Sequence, residues 1–131
     1  MSITLAEAEK ALQAAKAKAQ QMNVKVSIAV VDPRGDPIAA LRMDGAGYLT
    51  FDNARGKAFA SAAFGRASGE LTARADNPVF RSVMIREQGR IIPGQGAVPI
   101  RRGDQLIGAI GASGGTSQED EDISAAGAAA L

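Results

Sequence analysis

The sequence predicts an α+β fold, in which helices pack on an antiparallel sheet of about five strands. Two turn signals carry this prediction, because DPRGD at residues 32–36 and Gly103–Asp104 each lie between apolar runs. Helical periodicity precedes, separates and follows these turns, which gives the order helix, hairpin, helices, strands, helix. Hairpins leave neighbouring strands antiparallel, so a single domain over residues 1–131 is expected.

The start of the chain predicts a helix followed by a strand hairpin. Thr4 and Glu7 form a capping box, and apolar residues at three-and-four spacing behind it favour an amphipathic helix of about five turns. Residues 26–31 are almost wholly apolar and rich in β-branched side chains, which is typical of a buried strand. Residues 38–43 return as its hairpin partner. The apolar face of the helix consists of Leu5, Ala8, Leu12, Ala15, Ala19 and Met22.

Three helical segments are predicted between the two hairpins. Thr50 and Asn53 can cap the first of them, and Gly65 is placed to end it. Residues 68–75 are compatible with a short helical piece, and Asn77–Pro78 supplies an N-cap and a first helical residue for the next helix. The strands therefore resume only in the last third of the chain.

The second hairpin leads into a final helix. In its second strand, Ile107 and Ala109 should face one side of the sheet, and the glycine between them the other side. Thr116 and Glu119 form a capping box, so a helix over residues 117–131 is predicted. This helix therefore starts directly after a glycine-rich loop.

Composition limits the functions open to this chain. It has no cysteine and no histidine, which excludes disulfides, thiolate metal sites and Ser-His-Asp triads, and no metal site is predicted. The net charge of +1 gives no reason to expect a nucleic-acid or membrane partner. Neither a signal peptide nor an apolar run of about 20 residues is present, so a cytoplasmic location is expected. Only 4% of the residues are aromatic, and a homo-oligomer is expected because it would bury further surface.

The loop before the final helix is the first candidate site. Gly114, Gly115 and Thr116 lie where a strand gives way to a capped helix. A helix N-terminus presents unpaired N–H groups and a partial positive charge, which suit a carboxylate, a phosphate or a propionate. The alternative is that these glycines only allow a tight turn between strand and helix.

A series of short motifs along the chain resembles one known family. The motifs are VVD at 30–32 with Gly35, RMDGA at 42–46, Ala54 with KA at 57–58, Gly94 and Gly96, VPI at 98–100, IGAIG at 107–111, SGGT at 113–116, Asp120 and AG at 126–127. In this order they resemble the GlcG/HbpS-like haem-binding family, which includes the C-terminal domain of PduO-type proteins.

This resemblance covers nearly the whole chain and has several implications. It implies a profilin-like fold, with a five-stranded antiparallel sheet flanked by helices. It also implies homo-oligomers, a small-molecule ligand and haem as the candidate cofactor. Arg42 and Lys57 are expected near the ligand pocket, and Gly96 is assigned to the same ligand-binding site.

Haem would need an unusual axial ligand in this chain. Haem-binding members of the family are associated with histidine, cysteine or threonine near the iron, and this chain lacks the first two. Methionine and tyrosine can also ligate haem iron. The candidates are Met22, Met43, Met84, Tyr48 or a threonine, although each methionine lies in an apolar pattern typical of core residues. Any haem binding is therefore expected to be weak.

Four charged residues lie near glycine-rich corners of the predicted sheet: Arg42, Asp44, Lys57 and Asp120. Arg42 offers a planar fork for a carboxylate, and Lys57 can act as a base. Asp44 or Asp120 can act as an acid, a base or a metal ligand. The alternative is a salt-bridge network that holds the corner at residues 42–44 to the second helix.

Three functions are compatible with these features. The favoured one is a small-ligand binding domain, with an anion-accepting pocket at the glycine-rich loop and at a subunit interface. The second is an enzyme of small-molecule catabolism, in which Arg42 and Lys57 hold an anionic substrate while Lys57 and Asp44 are catalytic. The third is a structural or accessory oligomer without a ligand.

Overall fold

The computed structural model of the chain describes all 131 residues and contains four α-helices, a short 3-10 helix at Ser68–Arg74 and four strands. No helix combines the length and the apolar character that crossing a membrane requires. The helices are α1 (Leu5–Gln21), α2 (Thr50–Phe64), α3 (Pro78–Arg86) and α4 (Ser117–Ala129). The strands are β1 (Ser27–Val31), β2 (Pro37–Arg42), β3 (Ala97–Arg102) and β4 (Gln105–Ser113).

The strands form one antiparallel sheet in the order β2-β1-β4-β3. The predicted α+β class, with an antiparallel sheet and flanking helices, is confirmed, but the sheet has four strands rather than five. Residues 91–96, which approach the sheet, contain Pro93, Gly94 and Gly96 and form a loop. Ile91 is buried in a separate cluster with Phe59 and three other residues of the helical middle of the chain, so this segment adds no strand.

The sheet is covered by helices on both faces. Ile28 and Val30 of β1 belong to the main core, which is filled by the alanine-rich face of α1 and by Ile123 of α4. Val31 instead packs with Ala58 of α2 in a smaller cluster on the other face. A Cβ atom at Gly111 would lie 2.5 Å from the carbonyl oxygen of Ala54. Glycine at this position therefore lets α2 lie directly against the sheet.

One predicted strand face is wrong because β4 contains a bulge. Ile100 pairs with Gly108, whereas the next residue of β3 pairs with Leu106, so Ile107 is the extra residue. Ile107 therefore packs in the main core with Ile110, while Ala109 packs against α2. A bulge shifts the alternation of side chains by one position, which sequence periodicity does not reveal.

Most predicted helix ends are confirmed. Both capping boxes form, at the start of α1 and at the start of α4, and Gly65 ends α2 in the left-handed conformation. The predicted capping of α2 by Thr50 or Asn53 is wrong, because its N-cap is Leu49, which makes no side-chain cap. The Thr50 hydroxyl instead donates to the carbonyl of Gly47 and pairs with the hydroxyl of Ser27.

Candidate functional site

The structure divides the predicted site residues between two places. Lys57, Gly96 and the loop at residues 114–116 lie together at the start of α4, where Asp120 joins them, and we call this group the loop cradle. Arg42 and Asp44 lie in a second place, which we call the α1–β2 pocket. The residues that line this pocket are Lys16, Gln20, Asn23, Val24, Lys25, Leu41, Arg42, Met43 and Asp44.

The centre of the loop cradle is a buried ion pair between Lys57 and Asp120. Lys57 Nζ lies 3.2 Å from Asp120 Oδ2 and donates a second hydrogen bond of 3.2 Å to the carbonyl of Ala112. The side chains are only 12% and 4% exposed, respectively. Lys57 comes from α2 and Asp120 from α4, so the pair connects helices that pack on opposite faces of the sheet.

The N–H groups of the glycine-rich loop already have acceptors within the chain. Gly115 donates to Asp120 Oδ1 at 2.8 Å, and Thr116 donates to Glu119 Oε1 at 2.9 Å. The expectation that these groups point outward without partners is therefore wrong for the chain by itself. The Asp120 carboxylate occupies the position, between a loop N–H group and Lys57, in which an external anion was expected.

Two glycines of the cradle are required by close contacts. Gly96 has φ +146°, and a Cβ atom there would lie 2.8 Å from both Lys57 Nζ and the carbonyl oxygen of Ala112. Gly114 has φ +138°, and a Cβ atom there would lie 2.4 Å from the carbonyl oxygen of Lys25. Gly96 therefore leaves the space through which Lys57 reaches Asp120, whereas Gly114 allows the tight turn of the chain against the start of β1.

The ionisation of Asp120 is shifted by its surroundings. Burial raises the pKa of Asp120 above the ordinary value, although the Gly115 N–H group and Lys57 act in the opposite direction. Removing a carboxylate from water disfavours its charged form, and here this effect is the largest. Asp120 therefore takes up a proton more readily than an exposed aspartate does.

The α1–β2 pocket has a volume of about 500 Å³ and an unbalanced charge. Three cations, Lys16, Lys25 and Arg42, line it together with one carboxylate, Asp44. None of these four forms an ion pair or a side-chain hydrogen bond, since every such interaction in the chain involves other residues. The structure therefore joins neither Arg42 to Lys57 nor Asp44 to α2, and of the predicted network only the Lys57–Asp120 pair forms.

The candidate axial ligands for haem differ in their surroundings. Met43 packs against the main core and also lines the α1–β2 pocket. Met22, against the main core, and Met84, against the cluster around Phe80, line no pocket. Tyr48 is 78% exposed and lies outside all three pockets of the chain. Met43 is therefore the candidate that combines a thioether with a cavity and nearby cations, a set of groups that fits a porphyrin with acidic substituents.

Sequence reasoning did not single out Lys16 and Lys25 as site residues. One signal in the sequence could have indicated Lys25, namely the hairpin turn at residues 32–36, which makes β1 and β2 antiparallel neighbours. In the structure their register pairs Ser27 with Arg42. In an antiparallel pair, the residues before one strand lie beside the residues that follow the other. Lys16 gives no comparable signal, since a lysine on the polar side of a helix is ordinary.

Comparisons with known proteins agree with this architecture. Residues 3–129 match the model of the HbpS-like family, described as haem-degrading HbpS-like proteins. An uncharacterized 15.0 kDa protein of Citrobacter freundii, from the dhaT-dhaS intergenic region, is 35% identical over 91% of this chain and 84% of its own length.

Two solved structures extend this similarity. Protein ORFY of Klebsiella pneumoniae superposes with a TM-score of 0.90 at 31% identity, covering 98% of this chain and 89% of that one. The crystal structure of a PduOC:heme complex superposes with a TM-score of 0.89 at 28% identity, covering 100% of this chain and 96% of that one.

Proposed function

This chain belongs to the HbpS-like family, and on that premise we propose that it is a small-ligand binding domain with haem as the first candidate ligand. A similar structure contains heme, which supports haem as the ligand to test first. The binding residues that we propose are Lys57, Gly96, Gly114, Gly115 and Thr116 of the loop cradle and Arg42 of the α1–β2 pocket. The two places adjoin, because Gly115 lies against Val24, which lines the pocket. Met43 is proposed as the protein ligand of the iron, and haem would supply redox or gas-binding chemistry when bound.

The observation that carries this proposal is the carboxylate already held in the loop cradle. Gly115 and Lys57 bind the two oxygens of Asp120 at 2.8 and 3.2 Å. The Gly115 contact has the length of a charge-assisted hydrogen bond, and the longer Lys57 contact is an ion pair. The cradle therefore has the shape and the charge that a carboxylate needs. A ligand carboxylate would replace Asp120 there, and protonation of Asp120 would reduce the competition.

A haemin titration followed by absorbance tests the proposed ligand. We expect a saturable Soret shift with at most one haem per chain, and a weak affinity because histidine and cysteine are absent. Lys57→Ala and Met43→Leu should weaken binding, whereas Lys10→Ala, at an exposed position of α1, should not. The absence of a saturable shift in the unmodified chain would overturn haem as the ligand.

A rescue experiment tests the cradle without haem. Asp120→Ala removes the internal carboxylate, and we expect added formate to bind between Gly115 and Lys57 and to raise the melting temperature of this variant. The same concentration of formate should not raise that of the unmodified chain or of the double variant Lys57→Met/Asp120→Ala. Equal responses of all three proteins would show that the cradle does not accept an external anion.

A subunit interface at the start of α2 is a further part of the proposal. Tyr48, Leu49 and Phe51, at the start of α2, are 78%, 60% and 36% exposed. Three neighbouring apolar side chains in water favour a contact with another subunit, and we therefore propose a homo-oligomer. Light scattering should give a multiple of 13.4 kDa, and Leu49→Glu should lower that mass, whereas Arg81→Glu on exposed α3 should leave it unchanged.

An enzymatic function is the second candidate, because the buried Lys57–Asp120 pair combines an ammonium group with a carboxylate of raised pKa. Asp44 is exposed and is not paired with Lys57, so Asp120 takes over the acid–base role that was assigned to Asp44. Lys57→Arg keeps the positive charge but cannot give up a proton near neutral pH. If the chain converts an anionic substrate, and Lys57→Arg still binds this substrate but no longer converts it, the enzymatic function would be favoured.

A further inference from the structure

The α1–β2 pocket has the features of a binding site in its own right. Its volume of about 500 Å³ is within the range of small-molecule sites. Lys16 is half-buried and approaches from α1, whereas Lys25 and Arg42 are exposed and approach from the segment before β1 and from the end of β2. Three separate parts of the chain thus direct cations into one cavity.

These cations are not used within the chain. All five ion pairs of the chain lie elsewhere, and Asp44 is the only carboxylate that lines the pocket. Like charges that share a cavity repel one another, and this repulsion disappears when an anion binds. Compensation of the α1 macrodipole is one structural reason for a lysine near a helix end, but it does not account for Arg42, which lies on a strand.

The wall of the pocket is mixed in character. Its apolar part is formed by Val24, Leu41 and Met43, which are partly buried and pack against the main core beside the cations. Gln20 and Asn23 add amide groups at the rim. A ligand with an apolar body and more than one acidic group would contact both kinds of surface.

The corner at Gly45 controls where Lys25 lies. Gly45 has φ +87°, and a Cβ atom there would lie 2.7 Å from Cδ of Lys25. The absence of a side chain at Gly45 lets the aliphatic part of Lys25 lie along the corner beside Arg42 and Asp44. The position of this cation therefore depends on the chain conformation at the end of β2.

From these contacts we propose that the α1–β2 pocket binds small dianions with an apolar body, such as aromatic dicarboxylates, through Lys16, Lys25 and Arg42. This inference goes beyond the proposed function, because it assigns to the pocket a small ligand that is held without Lys57 and without iron, although the two sites share Arg42. Arg42 would bind one acidic group in a bidentate manner, and the two lysines would neutralise the other.

Phthalate is the probe, and amide chemical shifts in NMR spectra are the measurement. We expect saturable shifts at residues 23–25 and 41–45, with binding that weakens as salt is added. Arg42→Ala and Lys25→Ala should each weaken binding about fivefold, the size expected for one partly exposed charge pair. The control Lys10→Ala, at an exposed position of α1, should bind phthalate as the unmodified chain does.

Three outcomes would overturn the proposal: no saturable shifts, equal affinity in Arg42→Ala and the unmodified chain, or the same loss of binding in Lys10→Ala as in Arg42→Ala. Failure of the haem hypothesis has a different signature, since haemin would leave the Soret spectrum unchanged while phthalate still bound. Benzoate, with a single carboxylate, should bind more weakly than phthalate if two acidic groups are recognised.

Discussion

The loop cradle and the α1–β2 pocket both bring positive charge to a glycine corner, but they treat that charge in opposite ways. In the cradle, Lys57 is buried and its partner Asp120 comes from the chain itself. In the pocket, Lys25 and Arg42 are exposed and have no partner. A ligand at Lys57 would therefore have to displace an internal partner, whereas the pocket cations are available to a ligand without such competition.

The largest effect expected from this comparison is the loss of stability in Lys57→Met. Removing Lys57 leaves Asp120 buried without its counter-ion, and we expect the free energy of unfolding to fall by about 3 kcal/mol, because breaking a buried pair is costly. Urea unfolding at neutral pH measures this change. In the double variant Lys57→Met/Asp120→Asn, no uncompensated charge remains and most of the loss should be recovered. A single variant as stable as the unmodified chain would contradict the structural role of the pair.

A pair of glycine substitutions compares how closely the loop cradle and the corner at Gly45 are packed. Gly96→Ala places a Cβ atom 2.8 Å from a fixed carbonyl oxygen and from the enclosed Lys57 Nζ, and it also strains φ. Gly45→Ala strains φ in the same way, but its Cβ atom meets only the movable side chain of Lys25. We expect the free energy of unfolding, measured with urea, to fall by about 2–3 kcal/mol in Gly96→Ala and by about 1 kcal/mol in Gly45→Ala. Equal losses would mean that the cradle is no more closely packed than the exposed corner.

The pH dependence of stability gives a smaller effect that is specific to Asp120. Burial raises the pKa of Asp120 above its ordinary value of 3.8, so the folded state binds this proton more tightly than the unfolded state. Below pH 3.8 both states carry the proton; as the pH rises through the raised pKa, the folded chain loses stability relative to Asp120→Asn.

Urea unfolding of the unmodified chain and of Asp120→Asn, from below pH 3.8 to neutral pH, measures the difference between their free energies of unfolding. Asp122→Asn, at an exposed position of α4, serves as the control and should show no such trend. A difference between Asp120→Asn and the unmodified chain that is constant with pH, or that changes in the opposite direction, would show that the Asp120 pKa is not raised.

The smallest effects are expected in the α1–β2 pocket. Arg42→Ala and Lys25→Ala remove exposed side chains without partners, so the free energy of unfolding should change by no more than about 0.5 kcal/mol. Slight stabilisation is the expected direction, because repulsion between like charges is reduced. Thermal melts at low salt are the most sensitive measurement, and a marked loss of stability would assign these cations to the fold.

Local sequence patterns predicted most of the fold correctly. The errors arose where contacts between residues distant in sequence determine the local structure. The capping boxes at Thr4 and Thr116 and the end of α2 at Gly65 follow from residues a few positions apart. The bulge at Ile107 and the absence of a fifth strand depend on packing between elements distant in sequence, which periodicity does not report.

The candidate site shows the same limit. Lys57 and the loop glycines were predicted to lie together, and the structure brings Lys57, Gly96 and Gly115 around Asp120. The predicted group of charged residues contained both Lys57 and Asp120, but their separation of 63 residues gave no indication that Asp120 itself would occupy the cradle. Arg42 was assigned to the same place and lies instead beside Lys25, since the strand register decides its neighbours.

The route of Lys57 past Gly96 has a consequence for the rate of binding. Its ammonium group connects α2, β4 and α4 through Ala112 and Asp120. The proposed ligand could bind in the cradle only after Asp120 had left it, so the observed association rate would be limited by this opening and would stop rising at high ligand concentration. Association at the open α1–β2 pocket would instead stay proportional to ligand concentration and slow with ionic strength.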